Sequence, residues 1–278
     1  MSFVIPCCND GRFIRDAIES VEKCPRDLYE LIIVDDGSTD EQTIATMQEL
    51  SECDYCIIHQ SNLGLAAARN AGVSASSGEY ILPLDSDNRI RPEFVIEAVK
   101  MLDENEETSI VHGDFQYFGL NDHLCKIESF DIRKMIHANY IDACALYRRD
   151  VWVACGGYDE RMPVMGVEDW EFWLNAYSKG KKFFHLDMVA FDYASRADSM
   201  LQNTKLEENW RISEEYIYQK YAALVKEYYQ EYHRWDYHGR ELRRRPVRTL
   251  FRLFTNALWP RLHDRIYRIP PADQLKKP

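Results

Sequence analysis

The sequence predicts an α/β fold, a mostly parallel central sheet with helices on both faces, followed by a C-terminal helical extension. In the first hundred residues, four short apolar runs alternate with four segments whose apolar residues recur every three or four positions. Strand and helix in that rhythm give parallel strands, because each crossover helix returns the chain to the same end of the sheet and covers a face of it. Beyond about residue 203 the pattern turns helical, rich in Tyr and charge.

Taken in order, strands are expected at 2–6 (SFVIP), 30–36 (ELIIVDD), 55–60 (YCIIHQ) and 79–85 (EYILPLD). Helices are expected at 12–22, 41–50, 65–75 and 93–102. The second half is less regular. Strands are expected at 109–119 and 142–149, and a helix at 166–180 that ends on Gly180. One or two strands should follow at 183–193, then a long helical pattern over 203–235 and a basic closing segment.

Composition narrows the function. With 34 Lys+Arg against 46 Asp+Glu the net charge is -12, which argues against a nucleic-acid binder. The charge is uneven: residues 233–278 hold twelve Lys/Arg against four acids, a tail of +8 on a body of -20. No stretch reaches eighteen consecutive apolar residues, and MSFVIPCCND has neither a basic n-region nor a cleavage site, so a cytoplasmic protein is expected. Eight cysteines in 278 residues are too sparse for a disulfide scaffold. Cys53 and Cys56 form a CxxC with no second pair at zinc-ligand spacing, so a structural zinc is not expected.

Ligands of parallel sheets bind beyond the carboxyl ends of the strands. There the sequence puts Asn9 and Asp10, then Asp35 and Asp36, then Asn62 and Gly64, then Asp85, Ser86 and Asp87. Any one of these has a simpler use: Asp36, Ser38 or Asp40 suits the cap of the next helix, as does Asp87 before Pro92. Together they crowd acids on one rim, which costs stability unless a cation or a donor-rich ligand sits among them. Asp85-Ser86-Asp87 is the sharpest element. One of its carboxylates can meet a hydrated Mg²⁺ or Mn²⁺ and the other a nearby hydroxyl, with diphosphate oxygens filling the metal shell.

The segments IPCCNDGRFIRDAIESV, YELIIVDDGSTD, QSNLGLAAARNAG, GEYILPLDSDNRIRPE, GGYDE and EDWEFWLNAYSKG resemble family 2 glycosyltransferases of the GT-A (Rossmann-like) fold, in family order over about residues 2–200. Cys8 stands where many relatives carry Tyr. The resemblance implies metal-dependent, inverting transfer of a sugar from a nucleotide-diphosphate donor, most often a UDP-sugar, to a glycan or lipid-linked acceptor in surface polysaccharide synthesis. It implies that Pro6, Asn9, Asp36 and Arg69 contact the nucleotide with Asp35 behind them. Asp85, with Ser86 beside it, would meet the ribose or donor sugar, and Asp87 would ligate the cation. It divides the chain into a nucleotide-sugar-binding half (1–115), an acceptor-binding and catalytic half (116–200) and a helical extension with a basic amphipathic tail (201–278).

Glu168 and Asp169 open an apolar helix just after Gly166. Inversion needs a base on the face opposite the leaving group and no covalent nucleophile. Asp169 matches the family's base and Glu168 would orient the site or contact the donor sugar, although acids at a helix N-terminus also serve the helix dipole. Trp170 reads as core or as the floor of a sugar site, and His112 and His185 as core, with His185 able to approach the cation. Arg196, Ser199 and Met200 fall where relatives place a loop that closes over the donor.

The segment 240–269 has apolar residues at helical spacing among arginines. That suits the anionic inner face of the cell membrane, for a peripheral protein, or the acidic body of this chain or of a second copy in a homo-oligomer. Two other readings fit the same fold class: a polyprenyl-phosphate glycosyltransferase, whose ionised acceptor needs no base, and a non-catalytic nucleotide-sugar-binding subunit, which should lack the metal or base carboxylate. A sugar nucleotidyltransferase fits less well, because PCCNDGRF is not a glycine-rich basic loop.

Overall fold

In a computed structural model, residues 1–197 and 207–228 are described. Met1–Val225 forms one compact unit, and Lys226–Pro278 is a second, described only at 226–228. Within the first unit the chain runs β1 (Ser2–Cys7), α1 (Gly11–Glu22), β2 (Glu30–Asp36), α2 (Glu41–Glu52), β3 (Cys56–Gln60), α3 (Leu65–Ala75), β4 (Tyr80–Pro83), β5 (Arg89–Ile90) and α4 (Pro92–Glu104). It continues through β6 (Ile110–Gly119), β7 (Leu124–Cys125), α5 (Ile132–Met135), β8 (Leu146–Arg148), α6 (Arg149–Cys155), α7 (Glu168–Ser178), β9 (Phe183–Ser195) and α8 (Glu207–Lys220).

The strands form one sheet in the order β3-β2-β1-β4-β8-β6-β9-β5, with β7 paired to β6. The pairs β1/β2, β1/β4, β2/β3 and β6/β9 are parallel and carry most of the registered residues. Strand β8 runs antiparallel to both β4 and β6, joining the two halves of the sheet. The predicted strand at 142–149 shrinks to Leu146–Arg148, and 183–193 becomes a single strand of 13 residues.

Strand β1 is buried along its whole length because both faces are covered. Phe3 and Ile5 join the core cluster with Ile14, Ile18 and Val21, which share one face of α1. The intervening Val4 points the other way, to α3. There Gly72 permits close contact: a Cβ at that position would lie 2.3 Å from Val4 Cγ1. Gly72→Ala should therefore destabilise the protein by about 1–3 kcal/mol, the usual cost of overpacking. Urea unfolding of Gly72→Ala, with partial recovery in Gly72→Ala/Val4→Ala, checks this.

The chain passes from β1 to β2 on one side and later places β4 on the other, so the strand order reverses between β1 and β4. A crevice opens at such a point in α/β sheets. No helix among the described residues is long and apolar enough to cross a membrane. The segments 203–206, 229–235 and 240–269, together with Ser199 and Met200, lie outside the described residues.

Candidate active site

A cavity of about 520 Å³ lies at the carboxyl ends of β1, β2 and β4, within the ordinary size of a ligand site. β1 and the turn after it contribute Pro6, Cys8 and Asp10, β2 contributes Asp36, the loop before α3 contributes Asn62, and the turn after β4 contributes Asp85, Ser86 and Asp87. The second half of the unit adds Asn139, Tyr140, Asp142, Gly166, Glu168, Asp169, Tyr193, Arg196 and Trp210. Pro6, Asp36, Arg69, Asp85, Ser86, Asp87, Glu168 and Asp169 thus line one cavity, whereas Asn9 and Asp35 do not.

Hydrogen bonds explain those two. Asn9 has a positive φ of 57°, which Asn tolerates. Its Oδ1 accepts from the backbone N–H groups of Thr39 (2.7 Å) and Asp40 (3.0 Å). It ties the β1–α1 loop to the β2–α2 loop rather than facing the cavity. Asp35 accepts from Ser38 N at 3.0 Å and pairs with His59 Nδ1 at 3.0 Å. Burial raises its carboxyl, but the bonds from Ser38 and His59 outweigh that and hold it below the usual range. Asp36 accepts from Gln60 Nε2 (2.7 Å), Leu63 N (2.9 Å) and Gly64 N (2.9 Å), fixing the loop that begins α3. The α2 cap is Asp40, which accepts from Thr43 N, and the N-cap position of α4 is Arg91, with no side-chain cap bond, so neither Asp36 nor Asp87 has that simpler use.

Arg69, only 1% exposed, joins three elements. From α3 its guanidinium donates to Asp85 Oδ1 at 2.7 Å, after β4, and to Glu168 Oε1 at the start of α7. Burial alone would lower its pKa, but Glu168 and Asp85 raise it well above the ordinary value, so the charge is secure. Its Nε has no hydrogen-bond partner. Glu168 Oε2 accepts from Gly166 N at 2.9 Å, which completes the pairing of this buried acid.

Arg196 follows β9 and reaches the other carboxylates of the rim. Its Nε lies 2.9 Å from Asp87 Oδ2, and its two terminal nitrogens lie 3.0 and 3.2 Å from Asp10. Burial and the neighbouring Asp85 push Asp87 up to about 6 against the opposing pull of Arg196. Among the described residues no three His, Cys, Asp or Glu side chains gather to hold a metal by themselves. Asp85 and Asp87 offer hard oxygen donors of the kind Mg²⁺ or Mn²⁺ takes, and Arg69 and Arg196 hold one oxygen of each.

Helix α7 builds the opposite side. Trp170 and Trp173, both fully buried, donate through Nε1 to Met135 O (2.6 Å) and Ile141 O (3.0 Å). These two bonds bracket the segment that carries Asn139 and Tyr140, and the second lies next to Asp142. Asn139 Nδ2 then donates to Asp169 Oδ2 at 2.7 Å, while Asp169 Oδ1 accepts from Trp170 N at 2.8 Å. Burial raises the Asp169 carboxyl well above its ordinary value, and Glu168 and Asp142 add to the effect. Such an acid is a stronger base than a surface Asp and can take a proton from a hydroxyl.

Asn139, Asp142 and Trp210 are not among the site residues read from the sequence. Asp142 opens the strand expected at 142–149 and Trp210 lies in the helical pattern over 203–235, so neither follows the carboxyl end of a strand. Trp170 is core, stacked by Trp210 at 5.2 Å. His185 pairs with Asp114 Oδ1 at 3.0 Å, and neither it nor His112 lines the cavity. Burial and His185 push His112 down to about 3, so it is neutral. Cys8 lines the cavity, where Asn62 Nδ2 donates to its sulfur at 3.3 Å. Cys53 and Cys56 are exposed free thiols.

Together the sheet and its carboxylate-lined cleft define a protein of the GT-A class. TarS of S. aureus, solved in complex with UDP-GlcNAc, superposes with a TM-score of 0.62 at 19% identity, over 76% of this chain and 63% of that one. At that identity the likeness is one of fold. Residues 2–153 match Glycosyl transferase family 2, more than half of the chain, and the protein belongs to that family of transferase enzymes. The glycosyltransferase GlyG of Streptococcus pneumoniae is 32% identical over 124 residues, 44% of this chain and 41% of GlyG. A PGL/p-HBAD biosynthesis glycosyltransferase of Mycobacterium bovis is 27% identical over 205 residues, 69% of this chain and 76% of that protein. This chain thus spans less than half the length of GlyG.

Proposed function

We propose that the protein is an inverting, metal-dependent glycosyltransferase that moves a sugar from a UDP-sugar to a hydroxyl of a glycan or lipid-linked acceptor in surface polysaccharide assembly. One observation carries the reading: Asp85 and Asp87 share a cavity with Asp169, a buried carboxylate of raised basicity. The UDP and UDP-GlcNAc complexes of TarS support a uridine donor. In this reading residues 1–115 hold the donor and 116–200 present the acceptor.

Asp87, with Asp85 beside it, would hold Mg²⁺ or Mn²⁺, which when bound stabilises the charge that develops on the leaving diphosphate. Pro6 and Asp36 border the nucleotide, and Asp35 and Asn9 hold the loops that shape its pocket. Arg69 fixes Asp85 and Glu168 in one arrangement, and Asp169 takes the proton of the attacking hydroxyl. Arg69 and Arg196 are the Lys/Arg side chains described on the cavity wall, and both are already paired with carboxylates. That charge pattern favours a neutral hydroxyl over an ionised phosphate acceptor. The basic segment 240–269 is assigned to the anionic inner face of the cell membrane, in keeping with the +8 of residues 233–278.

The test is release of UDP from a panel of UDP-sugars with Mn²⁺, Mg²⁺ or EDTA. The wild type should release UDP only with a divalent ion. Asp87→Ala should lose roughly 10²–10³ of that rate, the usual scale for removing one stabiliser of developing charge. It should also lose the metal-dependent part of UDP affinity in calorimetric titration. Equal release in EDTA, or an unimpaired Asp87→Ala, would remove the metal role.

A further inference from the structure

Trp210 lies on α8, beyond the 2–153 segment that matches the family. Its indole is nearly parallel to that of Trp170, with ring centroids 5.2 Å apart and planes 10° apart. Trp170 is fully buried and anchored through Nε1 to Met135 O, so the surface behind Trp210 is rigid. Trp210 itself is only half-buried and lines the same cavity as Asn139, Tyr140, Asp142 and Asp169.

Contacts farther along hold α8 independently of this stack. Tyr216 Oη donates to Asp159 Oδ2 at 2.6 Å, and Lys220 Nζ lies 2.8 Å from the buried Glu171. Pyranose rings carry an apolar face of C–H groups and a rim of hydroxyls. A flat, immobile indole removes that face from water while leaving the rim free to hydrogen-bond. The carboxylates that would serve such a rim, Asp142 and Asp169, line the same cavity.

We propose that Trp210 is the platform for the acceptor's sugar ring, stacking its apolar face and presenting one hydroxyl to Asp169, so that the reacting unit of the acceptor is a neutral pyranose. This rests on the glycosyltransferase reading above. Its test uses p-nitrophenyl α- and β-glycosides of glucose, galactose, mannose and N-acetylglucosamine, added to the full chain with saturating UDP and Mn²⁺. Binding is followed by saturation-transfer NMR and titration.

At least one glycoside should bind the wild type, with saturation passing to its ring C–H protons. Trp210→Leu, which keeps apolar bulk without the ring, should weaken it roughly tenfold, whereas Trp210→Phe should stay within about threefold. UDP affinity should be unchanged in both. The proposal is overturned if no glycoside binds the wild type, if Trp210→Leu binds as well as wild type, or if Trp210→Phe loses as much as Trp210→Leu. Metal-dependent UDP release is scored in the same preparations. Its absence from the wild type removes the glycosyltransferase reading itself, and its presence beside a failed platform removes only the platform.

Discussion

Asp169→Asn is expected to cut sugar transfer roughly 10³-fold in kcat, within the usual span for losing a general base, while UDP affinity stays within about twofold. The substitution keeps the size of the side chain and its acceptor for Trp170 N, so the fold should not change. Only the ionised carboxylate can take the acceptor's proton, so kcat/KM should fall as pH falls. Because burial, Glu168 and Asp142 raise the Asp169 carboxyl, the midpoint of that acid limb should lie above about 4, the ordinary value for Asp. Asp142→Asn removes one negative neighbour, which makes ionisation of Asp169 easier and should move the midpoint down. A pH–rate profile with its limb at the ordinary Asp value, or unmoved in Asp142→Asn, would contradict this account, as would full transfer by Asp169→Asn.

Arg69→Met should destabilise the protein by about 3–5 kcal/mol, because removing one partner strands Asp85 and the buried Glu168 without their counter-charge. In a unit of this size that corresponds to a drop in Tm of roughly 10 °C. Arg69→Lys keeps the charge but not the two-pronged geometry that reaches both acids, so it should recover only part of the loss. Arg69→Met/Glu168→Gln should be more stable than Arg69→Met alone, since the second change removes the stranded charge. Thermal unfolding of the three variants decides the matter. If the double variant is no better than the single, the cost lies in packing.

Local pattern was enough for the first half of the chain. The strand at 30–36 and the helix at 65–75 end where the periodicity ends, and the acids after β4 reach the cavity because a parallel strand must deliver its carboxyl end there. The second half was less legible, since its geometry rests on contacts distant in sequence. Asp142 belongs to the cavity because Trp173, 31 residues on, holds the carbonyl of Ile141. Trp210 belongs to it because α8 is docked through Asp159 and Glu171. Neither contact leaves a period in the sequence. Asn9 and Asp35 illustrate the converse: they stand at strand ends as expected, yet backbone N–H groups and His59 claim their oxygens. Residue type and position identified the rim, but not which of its acceptors stay available.

The loop ties at Asp36 and Asn9 also bear on the thermodynamics of ligand capture. Asp36 fills its oxygens with donors from Gln60, Leu63 and Gly64, and Asn9 spans two loops with one oxygen. A rim cross-linked in this way has lost its conformational freedom during folding, before any ligand arrives. Binding on the β1–β2–β3 side then requires little further ordering, and more of the gross interaction energy appears as affinity.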